Sequence, residues 1–180
     1  MKIQFRKEDG FTLIEMLIVV IVLGILAMII IPQINVSTGE ARLSTLRTNL
    51  STVRNAIELY YHQHNNTYPG VILSTAGGTT ATSTVAEAES SFLAQLVTYT
   101  QADGKASVDK TGLTGTIYGP YLKTATLPQN PYNESSGVTC DIATASVLTR
   151  DAVAGDGTGW KFYVKTGVFI ANDADDHEGY

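Results

Sequence analysis

From Phe11 to Ile34 the chain is an almost unbroken apolar run, FTLIEMLIVVIVLGILAMIIIPQI, in which Glu15 is the one charged residue. At about 1.5 Å per helical residue it spans roughly 36 Å, enough to cross a hydrocarbon core of about 30 Å. The β-branched stretch Ile18-Val19-Val20-Ile21-Val22 favours strand in water. In lipid, a lone strand leaves its backbone donors unpaired, so the run predicts a transmembrane helix over residues 11–34. Gly24 weakens that helix by roughly 1 kcal/mol relative to Ala, and Pro32 removes a backbone donor near its exit. The pattern then turns amphipathic over residues 35–66. Leu43, Leu46, Leu50, Val53, Ile57 and Tyr60 advance in alternating steps of three and four, which aligns them on one helical stripe. Arg42, Arg47, Arg54 and Glu58 fall off the stripe and are expected to meet water. A coiled-coil seam would look similar, but such a face more commonly packs on the protein's own sheet. The helix is expected to run unbroken from Phe11 to about His64 and to end at Asn65-Asn66, ahead of Tyr68-Pro69-Gly70.

Residues 67–180 read as one globular α+β domain. Val71–Ser83 is rich in Gly, Thr and Ser and predicts an exposed loop. Thr84 and Glu87 have capping-box spacing and open a second helix through about Tyr99, with Phe92, Leu93, Leu96 and Val97 as its buried face. Ala102-Asp103-Gly104-Lys105 turns the chain. Tyr118–Leu122 and Leu127–Tyr132 are stiffened by prolines and predict ordered loop. Val138–Thr149 has strand-like composition. Trp160, Phe162 and Val164 alternate on one face, and Val168–Ala171 returns as a hairpin partner after Lys165-Thr166-Gly167. The fold class is therefore α+β: a long N-terminal helix packed on a small C-terminal antiparallel sheet, one face polar and one laid on the helix.

Charge sets the orientation and removes some functions. The chain carries a net −5. Lys2, Arg6 and Lys7 precede the apolar run against Glu8 and Asp9, so residues beyond Gly10 hold 9 basic and 15 acidic side chains, about −6. An acidic surface argues against nucleic-acid binding, which needs clustered Lys and Arg. Basic residues beside the span place the N-terminus in the cytoplasm and the globular domain outside. The single cysteine, Cys140, allows no intramolecular disulfide. His62 and His64 lie two residues apart, hence on different helical faces. No nucleophile–His–Asp setting, phosphate loop or Cys/His cluster is present, so an enzyme is not expected. The acidic tail around Asp173, Asp175 and Asp176 offers hard oxygen ligands suited to calcium, although without EF-hand spacing.

An ordinary secretory signal carries small residues after its apolar region, whereas here Gly10 stands before it. Gly10-Phe11-Thr12-Leu13-Ile14-Glu15 resembles the prepilin motif of type IV pilins and type II secretion pseudopilins. The resemblance implies a leader over residues 1–10, cleavage between Gly10 and Phe11 by a membrane prepilin peptidase, and methylation of the new Phe11 amine. It further implies that Glu15 pairs with the amino terminus of a neighbouring copy in a helical filament. The helix would loosen between Gly24 and Pro32 on assembly. Tyr118–Leu122 and Leu127–Tyr132 are similar to a GPYL…LP-x-NP pattern of pseudopilins. The family's fold is a spine helix on a small sheet, and its major pseudopilins bind calcium near the C-terminus. Many type IV pilins staple that region with a disulfide, so the lone Cys140 fits a major pseudopilin better. The implied setting is the bacterial inner membrane, single-pass, with lipid as the partner before assembly and the assembly platform and minor pseudopilins afterwards. A surface pilus subunit, and an anchored periplasmic binding module that never polymerises, are the other readings of the same sequence.

Overall fold

The computed structural model describes residues 10–78, 80–148, 151–153, 155–173, 177 and 179–180, without the side chains of 29–37. They form two compact units, Met1–Ala41 and Arg42–Tyr180.

The first element, α1, is one α-helix over Leu13–Gln63, unbroken at Gly24 and Pro32. The expected spine is therefore present, with its end where the sequence placed it. Asn65 and Asn66 stop it with φ of 52° and 56°, the left-handed region that Asn tolerates better than most residues. Among the described residues no helix is long and apolar enough to cross a membrane. The described side chains of the apolar run end at Met28, and those of residues 29–34 in the expected span lie outside the described residues.

In the second unit, Leu46, Leu50, Val53, Ile57 and Tyr60 are buried and Leu43 packs against them half-buried. Their partners are Phe92 and Leu96 of α2 (Val85–Val97) and Trp160, Phe162 and Phe169 of the C-terminal sheet. The capping box of α2 forms as read: Glu87 N donates to Thr84 Oγ1 at 3.2 Å and Thr84 N donates to Glu87 Oε2 at 3.2 Å. Its buried face also includes Ala88, Ser91 and Gln95, while Leu93 and Val97 are half-buried. The two polar residues have work on the preceding loop. Ser74 N donates to Ser91 Oγ at 3.1 Å. Gln95 accepts from Gly70 N at 2.8 Å and donates to the carbonyls of Ile72 and Gly104 at 2.9 and 2.7 Å. The segment expected as a plain exposed loop is thus folded onto α2, with Ile72 bridged to Ala81. Hydrophobic periodicity misses this because the anchors are polar.

Two small sheets follow. β1 (Tyr99–Gln101) pairs antiparallel with β2 (Ala106–Ser107) and β3 (Ile117–Tyr118), in the order β2-β1-β3. The second sheet has the order β4-β5-β6, from Val138–Asp141, Trp160–Tyr163 and Val168–Ala171. The β5–β6 hairpin is antiparallel, with Phe162 opposite Phe169. β4, however, runs parallel to β5, with Cys140 opposite Phe162, so the expected antiparallel sheet is corrected to a mixed one. Strand geometry stops at Asp141, whose carboxylate accepts from Ala143 N and Thr144 N, both at 2.8 Å, and turns the chain. The long return to Trp160 permits the parallel pairing that a tight turn forbids. The expected polar face is corrected too. All of β5 is buried, and Lys161 Nζ donates to Asp151 O at 2.6 Å while the Tyr163 hydroxyl receives Asp151 N at 2.8 Å.

Both outer edges of this sheet are closed by helical side chains, as exposed edges must be managed. Arg54, expected in water, is half-buried and donates to Phe169 O on β6 through Nε at 3.0 Å and Nη2 at 2.8 Å. On β4, Cys140 N donates to Glu89 Oε1 at 3.3 Å.

His64 seals the junction between α1 and β1. Its ring stacks on Tyr60 with centroids 3.7 Å apart, Nδ1 meets Tyr60 O at 2.8 Å and Nε2 meets Thr100 Oγ1 at 3.0 Å. A carbonyl only accepts, so Nδ1 carries the proton and Nε2 accepts from the threonine hydroxyl. Burial holds the imidazole below its ordinary pKa. The unfolded chain therefore takes up a proton near pH 6.5 that the folded chain resists, and stability falls as pH drops through that value. Urea midpoints, followed through Trp160 fluorescence, should decline between about pH 7.5 and pH 5, and the decline should shrink in His64→Gln.

Candidate assembly site at the helix N-terminus

The first turn of a helix exposes amide donors without intrahelical partners and a positive dipole end, both of which favour a carboxylate. Thr12 and Glu15 have the spacing of a capping box, and α1 uses it. Thr12 N donates to Glu15 Oε2 at 2.7 Å, Thr12 Oγ1 donates to the same oxygen at 2.6 Å, and Glu15 N donates to Thr12 Oγ1 at 3.3 Å. Thr12 thus joins Gly10, Phe11 and Glu15 at the site, and its T-x-x-E spacing is the sequence signal that marks it. Oε2 of Glu15 thus takes two intrachain bonds, while Oε1 takes none among the described residues. Ahead of the box, Gly10 is exposed with open space where a Cβ would stand, and Phe11 is 81% exposed. The large apolar side chains from Leu13 to Met28 are all exposed, with no core of their own to cover. Gly24 lies inside this helix in open surroundings; the Pro32 side chain lies outside the described residues.

Of the three calcium candidates only Asp173 lies among the described residues. Asp173 accepts from Asn130 Nδ2 at 2.8 Å and meets His177 Nδ1 at 2.5 Å, which engages both of its oxygens. Asp175 and Asp176 lie outside the described residues, and among the described residues no group of three or more His, Cys, Asp or Glu is placed to hold a metal. Cys140 is buried, and burial beside Glu89 pushes its thiol pKa up, as for an inert core sulfur.

The family model described as "Prokaryotic N-terminal methylation motif" matches residues 5–31. Type II secretion system core protein G of Pseudomonas aeruginosa is 35% identical over 57 residues, 32% of this chain and 40% of that protein. The core protein G of Vibrio cholerae is 35% identical over 66 residues, covering 37% of this chain and 44% of the relative. A fimbrial protein of Neisseria meningitidis is 37% identical over 73 residues, or 38% and 43% of the two chains. The chain thus spans less than half the length of these curated relatives. No solved structure gives a significant match. The N-terminal segment carries the methylation motif, and in that region the chain is similar to type II secretion system core protein G.

Proposed function

We propose that the protein is a structural subunit of a type IV-like filament, the major pseudopilin of a type II secretion system. The carrying observation is the site just described: Gly10, Phe11 and Glu15 at prepilin spacing, at the head of an exposed apolar helix. On this reading residues 11–34 sit in the bacterial inner membrane before assembly, with the globular domain in the periplasm. A prepilin peptidase cuts after Gly10 and leaves Phe11 as the new amino terminus. A carboxylate inside a bilayer costs on the order of 2.5–3.5 kcal/mol on insertion scales, so Glu15 is worth keeping only for a partner. Thr12 holds one of its oxygens and the open Oε1 receives the amine of a neighbouring copy. The contact joins different surfaces of successive subunits, so it need not close and propagates as a helix. Growth of the rod from an inner-membrane platform, with minor pseudopilins, supports export of folded proteins.

The fimbrial relative favours a second reading, a surface type IV pilus subunit. Overexpression in a bacterium equipped with a secretion platform and its prepilin peptidase should produce fibres, seen by electron microscopy, that contain this chain. Fibres that need only the secretion platform support the first reading; fibres that need the pilus machinery support the second. Monomer throughout, in cells carrying both machineries, contradicts both.

A further inference from the structure

The resemblance to major pseudopilins implies calcium near the C-terminus, and the atoms that face the carboxylates there decide whether the ion fits. Calcium takes about six to eight oxygen ligands at roughly 2.3–2.6 Å, and a carboxylate often serves it with both oxygens. Among the described residues, Asp156 of the return between β4 and β5 and Asp173 just after β6 reach the end of the C-terminal sheet. Asp156 presents both oxygens to Asn172, whose Nδ2 stands 3.0 Å from each. The same nitrogen donates to Thr158 Oγ1 at 2.7 Å, which uses its second hydrogen. Oδ1 of Asp156 also accepts from Thr158 N and Thr158 Oγ1, both at 2.8 Å. Asp173 is engaged in the same manner, by Asn130 Nδ2 at 2.8 Å on one oxygen and His177 Nδ1 at 2.5 Å on the other.

Exchanging oxygen and nitrogen in either asparagine would turn a donor into a metal ligand, so the orientation of the two amides is decisive. The backbone fixes it. Val153 N meets Asn172 Oδ1 at 2.5 Å, and Tyr132 N meets Asn130 Oδ1 at 3.0 Å. A backbone N–H only donates, so in both residues the oxygen faces the backbone and the nitrogen faces the carboxylate. Both side chains are buried, Asn172 at 2% exposure and Asn130 at 0%, so a flip would set donor against donor away from water. A cation beside Asp156 would therefore meet amide hydrogens where it needs oxygens. Asn172 itself does what a loop-closing ion does, tying Val153, Asp156 and Thr158 to the end of β6. We propose that the Asn172 amide holds the place of a cation in this chain, so that the return between β4 and β5 closes on β6 without calcium. The inference concerns the fold of a single subunit and is independent of the filament reading.

The test uses the full chain in detergent micelles, with Trp160 emission following urea unfolding. The wild-type midpoint should be the same in EGTA and in millimolar calcium chloride, because an ion that bound only the folded state would raise it. Asn172→Asp sets a second carboxylate against Asp156 and supplies oxygens in place of the amide hydrogens. Its midpoint should fall by about 1 M in EGTA, and calcium should restore much of that loss. Asn172→Ala should lower the midpoint as well, and it decides beside the wild-type series should the aspartate variant not fold. A saturable rise of the wild-type midpoint with calcium would overturn the proposal. So would a wild-type midpoint for either variant in EGTA, or a folded Asn172→Asp whose loss calcium leaves in place.

Discussion

Glu15→Val should leave the protein membrane-bound and normally abundant while fibres disappear from electron micrographs. The substitution removes a charge that lipid disfavours, so the isolated subunit loses only the two capping bonds that Thr12 donates to Glu15 Oε2 and keeps its membrane helix. On the proposed reading it also removes the acceptor for a neighbour's amine. Truncating one member of a desolvated, hydrogen-bonded charge pair costs about 2–5 kcal/mol, or roughly 30-fold to several-thousand-fold per contact. A filament repeats that loss at every subunit. Thr12→Val separates positioning from charge. It deletes the 2.6 Å hydroxyl bond to Glu15 but keeps the backbone bond at 2.7 Å. Loss of an N-cap costs about 1 kcal/mol, so fibres should become fewer and shorter without vanishing. Wild-type fibre yield from Glu15→Val would refute the assembly role given to this carboxylate.

Phe92→Ala should be the most damaging single change in the globular unit. Phe92 is fully buried and joins α2 to the sheet, its ring centroid 4.5 Å from that of Phe162 and 6.2 Å from that of Phe169, which stacks in turn on Trp160 at 5.4 Å. Removing a buried aromatic ring typically costs about 3–5 kcal/mol, a large part of a small domain's stability of about 5–15 kcal/mol. Trp160 is the only tryptophan and is buried, so its emission reports this core directly. The expected result is a urea midpoint lowered by more than 1 M with an unchanged slope, at a typical slope of about 1–3 kcal/mol per molar urea. A shift of less than about 1 kcal/mol would mean that α2 does not anchor the sheet.

Local physics was the part of this fold that the sequence carried. The stripe from Leu43 to Tyr60 needs only helical periodicity, the Thr84–Glu87 box only a spacing of three, and the β5–β6 hairpin only alternation broken by Lys165-Thr166-Gly167. Each was readable and each is present. Hidden from it were contacts set by distant chain and by polar anchors. The parallel pairing of β4 with β5 depends on a long return that no local pattern encodes. Gln95 and Asn130 are fully buried, yet both count as solvent-facing in a pattern of apolar and polar positions. Asn130 donates to Gly159 O at 2.9 Å and accepts from Tyr132 N at 3.0 Å, so it ties the loop after Pro128 to the start of β5. Arg54 misled for the same reason, because its place off the apolar stripe says nothing of a sheet edge waiting for a donor. At the candidate assembly site, Gly10, Phe11 and Glu15 were legible as a motif. Thr12 was legible only as physics, through the capping box that positions the carboxylate.

The account rests on an amine created at Phe11, and intact-mass spectrometry of the protein recovered from cells with a prepilin peptidase tests it most directly. The predicted species begins at Phe11 and carries one added methyl group on its amino terminus. A chain that still holds residues 1–10 ahead of Phe11 would contradict it, because Glu15 would then have no neighbouring amine to meet.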